Sequence, residues 1–134
     1  MAAFIFIRKI LAGEAIPVFN NGDMRRDFTY IDDIVSGVLA CLDKPPTVTD
    51  GEPPCRLYNI GNNTSEPLMR FISILEDTLG KKAEIDFQPL QTGDVPETSA
   101  DITETQRDFG FKPKITIDEG LPLLVAWYRD YYGA

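Results

Sequence analysis

In a chain whose net charge is −8, one arginine at the edge of a predicted strand invites an anion-binding reading. Arg26 stands beside a turn, and a guanidinium there suits a diphosphate: its planar fork makes two parallel hydrogen bonds that an ammonium cannot. Against that stands a solvated surface Arg, for which Arg25 is an equal candidate. The polar loop Gln91-Thr92-Gly93-Asp94-Val95-Pro96 offers Asp94 as an acceptor for a ribose diol, and Gln91 for a phosphate or a base edge. By residue type alone it reads first as a connection. Phe19, before Asn20-Asn21, can lie against a nucleobase or belong to the core. Asp32 and Asp33 form a carboxylate pair of the kind used in acid–base chemistry. The first turn of a helix, however, favours Asp for electrostatic reasons alone. Trp127, Tyr128, Tyr131 and Tyr132 are candidates for sugar stacking, but their helical spacing favours packing.

Composition excludes several chemistries. The absence of histidine removes His catalysis and His metal ligation from this chain, and two cysteines, Cys41 and Cys55, argue against a zinc site or a disulfide scaffold. The acidic balance argues against nucleic acid, whose phosphates need a basic surface. No apolar run is long enough to span a bilayer. Ala2 to Ile7 precedes Arg8 and Lys9, the reverse of a secretory signal. A reduced, cytoplasmic setting with no membrane partner is the expectation. The 134 residues, 43% apolar and 25% charged, suffice for one domain with its own core.

The elements that must position these groups follow from periodicity and punctuation. Ala2 to Ala12 reads as a helix closed by Gly13, apolar around most of its circumference and needing cover on several sides. Ile16–Phe19 and Asp27–Tyr30 read as short strands around Asn21-Gly22. A helix from about Asp32 to Asp43 carries Ile31, Ile34, Val35, Val38, Cys41 and Leu42 on one face and ends at Pro45-Pro46. Residues 45–55 form a surface loop, and Arg56 to Ile60 an apolar strand. Ser65 to Leu79 is a helix stopped by Gly80, and Glu84 to Phe87 a strand. Capping boxes at Asp101–Glu104 and Thr116–Glu119 place helices at about 102–109 and 117–132. Pro122 is expected to bend the last or delay its start. Alternating strands and helices indicate an α/β fold with α+β character.

The run Arg26-Asp27-Phe28-Thr29-Tyr30-Ile31-Asp32-Asp33-Ile34-Val35 resembles a signature of NAD-dependent sugar-nucleotide epimerases and dehydratases. With Ile16–Asp33, Tyr58-Asn59-Ile60-Gly61-Asn62, Gln91–Asp101 and Phe109–Pro113 in this order, the whole chain resembles the C-terminal part of the UDP-glucuronate 4-epimerases. These belong to the extended short-chain dehydrogenase/reductase superfamily. Gly93-Asp94-Val95-Pro96 is more similar to the 4-epimerases than to the related decarboxylases, which tend to an Asp-Asp-Pro-like sequence followed by several Arg. The resemblance implies that residues 1–134 form a single nucleotide-sugar-binding domain, lacking most of the Rossmann sheet. It implies roles for Arg26 on the UDP diphosphate, Asp94 on the uridine ribose, Gln91 near the diphosphate and Phe19 at the uracil. The complete enzyme would use NAD to interconvert UDP-glucuronate and UDP-galacturonate through a 4-keto intermediate.

Two departures bear on activity. No two glycines have the spacing of the strand-to-helix turn that holds NAD in this superfamily. The family's Tyr with a Lys four residues on is also absent: Tyr30, Tyr58 and Tyr128 are followed at that offset by Ile34, Asn62 and Tyr132. The resemblance therefore implies a truncated chain, starting past a complete member's midpoint, with no catalytic residue, no bound NAD and no turnover alone. Its partners would be a UDP-sugar and either a missing NAD-binding half or another copy, since strand Arg56–Ile60 would have unpaired edges. The alternatives are a non-catalytic fold remnant or binding module, or part of another nucleotide-sugar epimerase, decarboxylase or dehydratase.

Overall fold

The computed structural model describes residues 2–47, 51 and 54–134. Helix α1 (Ala2–Ala12) leads into β1 (Ile16–Val18), a 3-10 turn at Phe19–Gly22 and β2 (Arg25–Asp27). Then come α2 (Ile31–Asp43), β3 (Ser65–Pro67), α3 (Leu68–Leu79), β4 (Ile85–Phe87), α4 (Thr103–Phe109) and α5 (Ile117–Tyr132).

The core is built around α3. Leu68, Phe71, Ile72, Leu75 and Leu79 recur at helical spacing and are all buried, so one face of α3 is wholly apolar and interior. Gly80 ends the helix at φ 70, a left-handed angle that costs glycine little, and donates its N–H to the Glu76 carbonyl at 2.9 Å. Helix α3 lies against α1 and α5. From α1 come buried Phe6, Ile7 and Ile10, and from α5 Ile117, Leu121, Val125 and Tyr128. The reciprocal bonds of Thr116 and Glu119 complete the capping box of α5. Pro122 does not delay the helix, which begins at Ile117 and contains it. Around Asp101 the expected box is not formed: Asp101 Oδ1 instead accepts the Thr103 N–H at 3.0 Å, and α4 starts there.

Both sheets are two-stranded among the described residues, and neither is a hairpin. Strand β1 pairs in parallel with β4, setting Ile16 opposite Ile85 and Val18 opposite Phe87. Strand β2 pairs antiparallel with β3, setting Arg26 opposite Glu66. The second strand is thus Arg25–Asp27, earlier than the Asp27–Tyr30 read from apolar content, because its hydrogen-bonding partner lies at 65–67. That pairing also draws Ser65–Pro67 out of the expected helix.

Arg56–Ile60 is not a strand. Among the described residues no neighbouring strand supplies a ladder, and side chains tether the segment instead. Tyr58 Oη donates to Asp108 Oδ2 at 2.8 Å, Asn59 Nδ2 to the Asp101 carbonyl at 3.1 Å, and Thr105 Oγ1 to the Asn59 carbonyl at 2.5 Å. Helix α2 buries Asp33 and Gly37, whereas Ile31, Val35, Val38 and Leu42 of its apolar stripe are exposed. A Cβ at Gly37 would lie 2.9 Å from Ile60, so glycine lets that segment approach the helix closely. Residues 48–50, 52 and 53 of the expected 45–55 loop lie outside the described residues. No helix among the described residues is long and apolar enough to cross a membrane.

Candidate functional site

Strand β2 grips the 94–100 loop with every one of its three residues. Arg25 donates its backbone N–H to the Pro96 carbonyl at 2.8 Å and accepts from the Thr98 N–H at 3.2 Å. Its side chain donates to the Ser65 carbonyl and lies 3.4 Å from Glu97. Arg26 points its guanidinium at the loop: Nη2 meets Asp94 Oδ1 at 2.8 Å, and Nη1 donates to the carbonyls of Pro96 at 3.1 Å and Arg25 at 2.8 Å. This ion pair is half-buried, 23% exposed at Arg26 and 34% at Asp94, so solvent screens it only in part.

Asp27 holds the far end of the same loop. Its Oδ2 accepts from the N–H groups of Ala100 at 2.9 Å and Asn63 at 3.0 Å, and its Oδ1 from Asn62 at 2.9 Å. Its own N–H donates to Thr98 Oγ1 at 3.2 Å. Three separate stretches of chain therefore meet at one carboxylate. Asn63 takes a left-handed φ of 57 there. Beside it, a Cβ on Gly61 would collide with Ala100, so only glycine leaves room for the junction.

The Asp94 N–H closes a turn onto the Gln91 carbonyl at 3.1 Å, and Oδ1 also accepts from the Val95 N–H at 2.9 Å. Among the described residues, Oδ2 takes no protein hydrogen bond. Gln91 is exposed at the start of this turn. Phe19 is half-buried and packs on the core, with part of its surface accessible. After it, Asn20 and Asn21 adopt φ values of 50 and 51, which Asn tolerates better than most residues. The Asn21 N–H donates to the Gln88 carbonyl at 3.1 Å, and the Gln88 N–H to the Val18 carbonyl at 2.9 Å. Arg26 and Asp94 are thus in direct contact, while Val18 and Asn21 on either side of Phe19 bond the Gln88 backbone, three residues before Gln91.

Two carboxylates carry more than their sequence positions suggested. Asp27 is a poor strand former inside a strand, and that mismatch was the available signal. Asp33 was read as a helix-dipole partner, yet it is buried and accepts from the N–H groups of Lys114 at 3.0 Å and Ile115 at 3.0 Å, docking the segment before α5. The aromatic set near the C-terminus divides. Tyr128 is buried edge-on to Phe4 at 5.3 Å, while Trp127 and Tyr131 stack on each other at 5.4 Å in solvent. A separate cleft of about 1040 Å³ lies between the end of α2, residues 55–58 and α4, and holds none of the four candidate residues. Its Asp108 accepts from Arg107 and Tyr58, which hold its carboxyl down at about 2.

The NAD dependent epimerase/dehydratase family matches residues 1–61. Protein CapI of Staphylococcus aureus is 43% identical over 98% of this chain, which spans 43% of that protein. UDP-glucuronate 4-epimerase 2 of Arabidopsis thaliana is 44% identical over 98% of the chain, which spans 33% of it. Among solved structures, UDP-glucuronic acid 4-epimerase from Bacillus cereus, in complex with UDP-glucuronic acid and NAD, superposes with a TM-score of 0.85 at 29% identity. That match covers 98% of this chain and 40% of the other.

Proposed function

We propose that the chain is a partial member of the NAD dependent epimerase/dehydratase family, namely the UDP-sugar-binding portion of a UDP-glucuronate 4-epimerase. The observation that carries the reading is the Arg26–Asp94 pair: residues 68 apart in sequence meet at 2.8 Å beside an accessible loop. In this reading Arg26 holds the diphosphate, and its bonds to Asp94 and Pro96 fix the fork before the ligand arrives. Asp94 spends Oδ1 on Arg26 and turns Oδ2 to the ribose diol. Gln91 contacts the diphosphate from the exposed start of the turn, and Phe19 offers its accessible side to the uracil.

The complete enzyme would interconvert UDP-glucuronate and UDP-galacturonate, with bound NAD accepting and returning the hydride. The described residues do not fit NAD. A dinucleotide needs a glycine-rich turn between a parallel strand and a helix N-terminus, and β1 runs instead into the Phe19–Gly22 turn. No hydride step is therefore assigned to this chain, which binds the nucleotide while a NAD-binding half does the chemistry. Gly93-Asp94-Val95-Pro96 and the similarity to 4-epimerases support glucuronate as the sugar, over the substrate of a decarboxylase or dehydratase. A cytoplasmic setting fits two free cysteines and a cytosolic nucleotide-sugar ligand.

Calorimetric titration with UDP tests the reading. Binding is expected, and Arg26→Ala should weaken it by roughly 1.5–3 kcal/mol, the scale of a charge-assisted hydrogen bond. Equal affinity in the two proteins would remove Arg26 from the site.

A further inference from the structure

We infer that Asp27 is a positioning residue for the nucleoside diphosphate site, acting through the loop that carries Asp94; this rests on the reading of Arg26 and Asp94 given above. Side chains alternate along a strand, so Asp27 and Arg26 leave β2 in opposite directions while serving the same loop. Arg26 takes the loop at Asp94 and Pro96, and Asp27 takes it at Thr98 and Ala100. Only Asp27 also reaches a third segment, the 62–63 turn. That turn is itself anchored, because Asn62 Nδ2 donates to the Phe28 carbonyl at 3.0 Å. The Asp27 carboxylate thereby ties the far end of the Asp94 loop to the 62–63 turn as well as to β2.

The chemistry explains why this position calls for a carboxylate. Three backbone N–H groups converge on two oxygens, and an ionised carboxylate accepts all three with charge-assisted bonds. Asn, the isosteric replacement, has one acceptor oxygen and an NH2 that would face an N–H donor. Asp27→Asn therefore frees the 62–63 turn or Ala100. The Asp94 loop then samples positions in which its Oδ2 and the Arg26 fork no longer face one ligand, and affinity falls because the site must be ordered on binding.

UDP affinity in a two-by-two set separates positioning from general loosening: the unsubstituted chain, Asp27→Asn, Arg26→Ala and the double variant, each checked for helix content by circular dichroism. Asp27→Asn should weaken UDP binding roughly tenfold, about one charge-assisted hydrogen bond's worth. In the Arg26→Ala background the same substitution should change affinity far less, since the pair it positions is already broken. An unchanged affinity, or an equal loss in both backgrounds, would overturn the assignment. If Asp27→Asn does not fold, Thr98→Val releases the Asp27 N–H from the loop side and should weaken UDP binding a fewfold; no effect there would likewise count against it. If the unsubstituted chain fails to bind UDP, the proposed function falls, and nuclear magnetic resonance still reads the positioning. Exchange of the Arg26 Nη protons should then quicken in Asp27→Asn, and an unchanged exchange rate would refute the role.

Discussion

Arg25 and Arg26 are neighbours of one residue type, and only their partners distinguish them. Arg25 is 47% exposed opposite an exposed Glu97, whereas Arg26 is half as exposed, with its fork already ordered by Asp94 and Pro96. That difference decides which of the two can present a fixed guanidinium to a ligand. Asp108 shows the same principle in titration. Arg107 first, then the Tyr58 hydroxyl, and more weakly Arg56, lower its carboxyl from 3.8 to about 2. A carboxylate held below its unfolded value stabilises the fold above that value and loses the contribution as pH falls through the folded one. The urea midpoint of Asp108→Asn should therefore fall below that of the unsubstituted chain at neutral pH. The gap should close as pH drops from about 4 to about 2, and a gap independent of pH would show that Asp108 does not act through its charge.

The helices were legible because each carries its own signal. In α3 the apolar residues sit at i, i+3, i+4 and i+7, Gly80 stops it, and the structure buries that face. Leu75 is fully buried at its centre, and Leu75→Ala should lower unfolding stability by about 2–5 kcal/mol, read from denaturant melts. The strands were legible only in part. Each is three residues long, and what defines it is a partner elsewhere: β1 finds its mate at Ile85–Phe87, and β2 at Ser65–Pro67. Local composition therefore shifted β2 toward Phe28-Thr29-Tyr30, and read Arg56–Ile60 as a strand though none of the described residues pairs with it in a ladder. The candidate site divided likewise. Residue types offered Arg26 and Asp94 only as candidates beside a surface Arg and a connecting loop, and the resemblance gave them roles, while the contact between them and the Asp27 junction depend on chain crossings that periodicity does not record.

At the scale of the whole molecule, one side of the fold is finished and another is not. Helix α2 exposes Val35, Val38 and Leu39 with Ile31 at 60% and Leu42 at 70%, and nearby Leu57 is 89% exposed. Water-facing apolar surface of this kind marks an interface. The chain spans 43% or less of the relatives described, and the proposed function leaves this face to a NAD-binding half or to a second copy. Sedimentation of the pure chain should show self-association that Val38→Glu with Leu42→Glu abolishes, and a strictly monomeric profile of the unsubstituted chain would argue against a second copy. The Asp27 junction and the ion pair beside it also have a history in time. Their contacts span 35 to 73 residues of chain, whereas each helix turn closes within a few. Closing long loops is entropically costly, so such contacts come late. A refolding chain would regain its helices before this junction closes, and a ribosome would have to deliver Ala100 before the contacts begun at Arg26 and Asp27 could be complete.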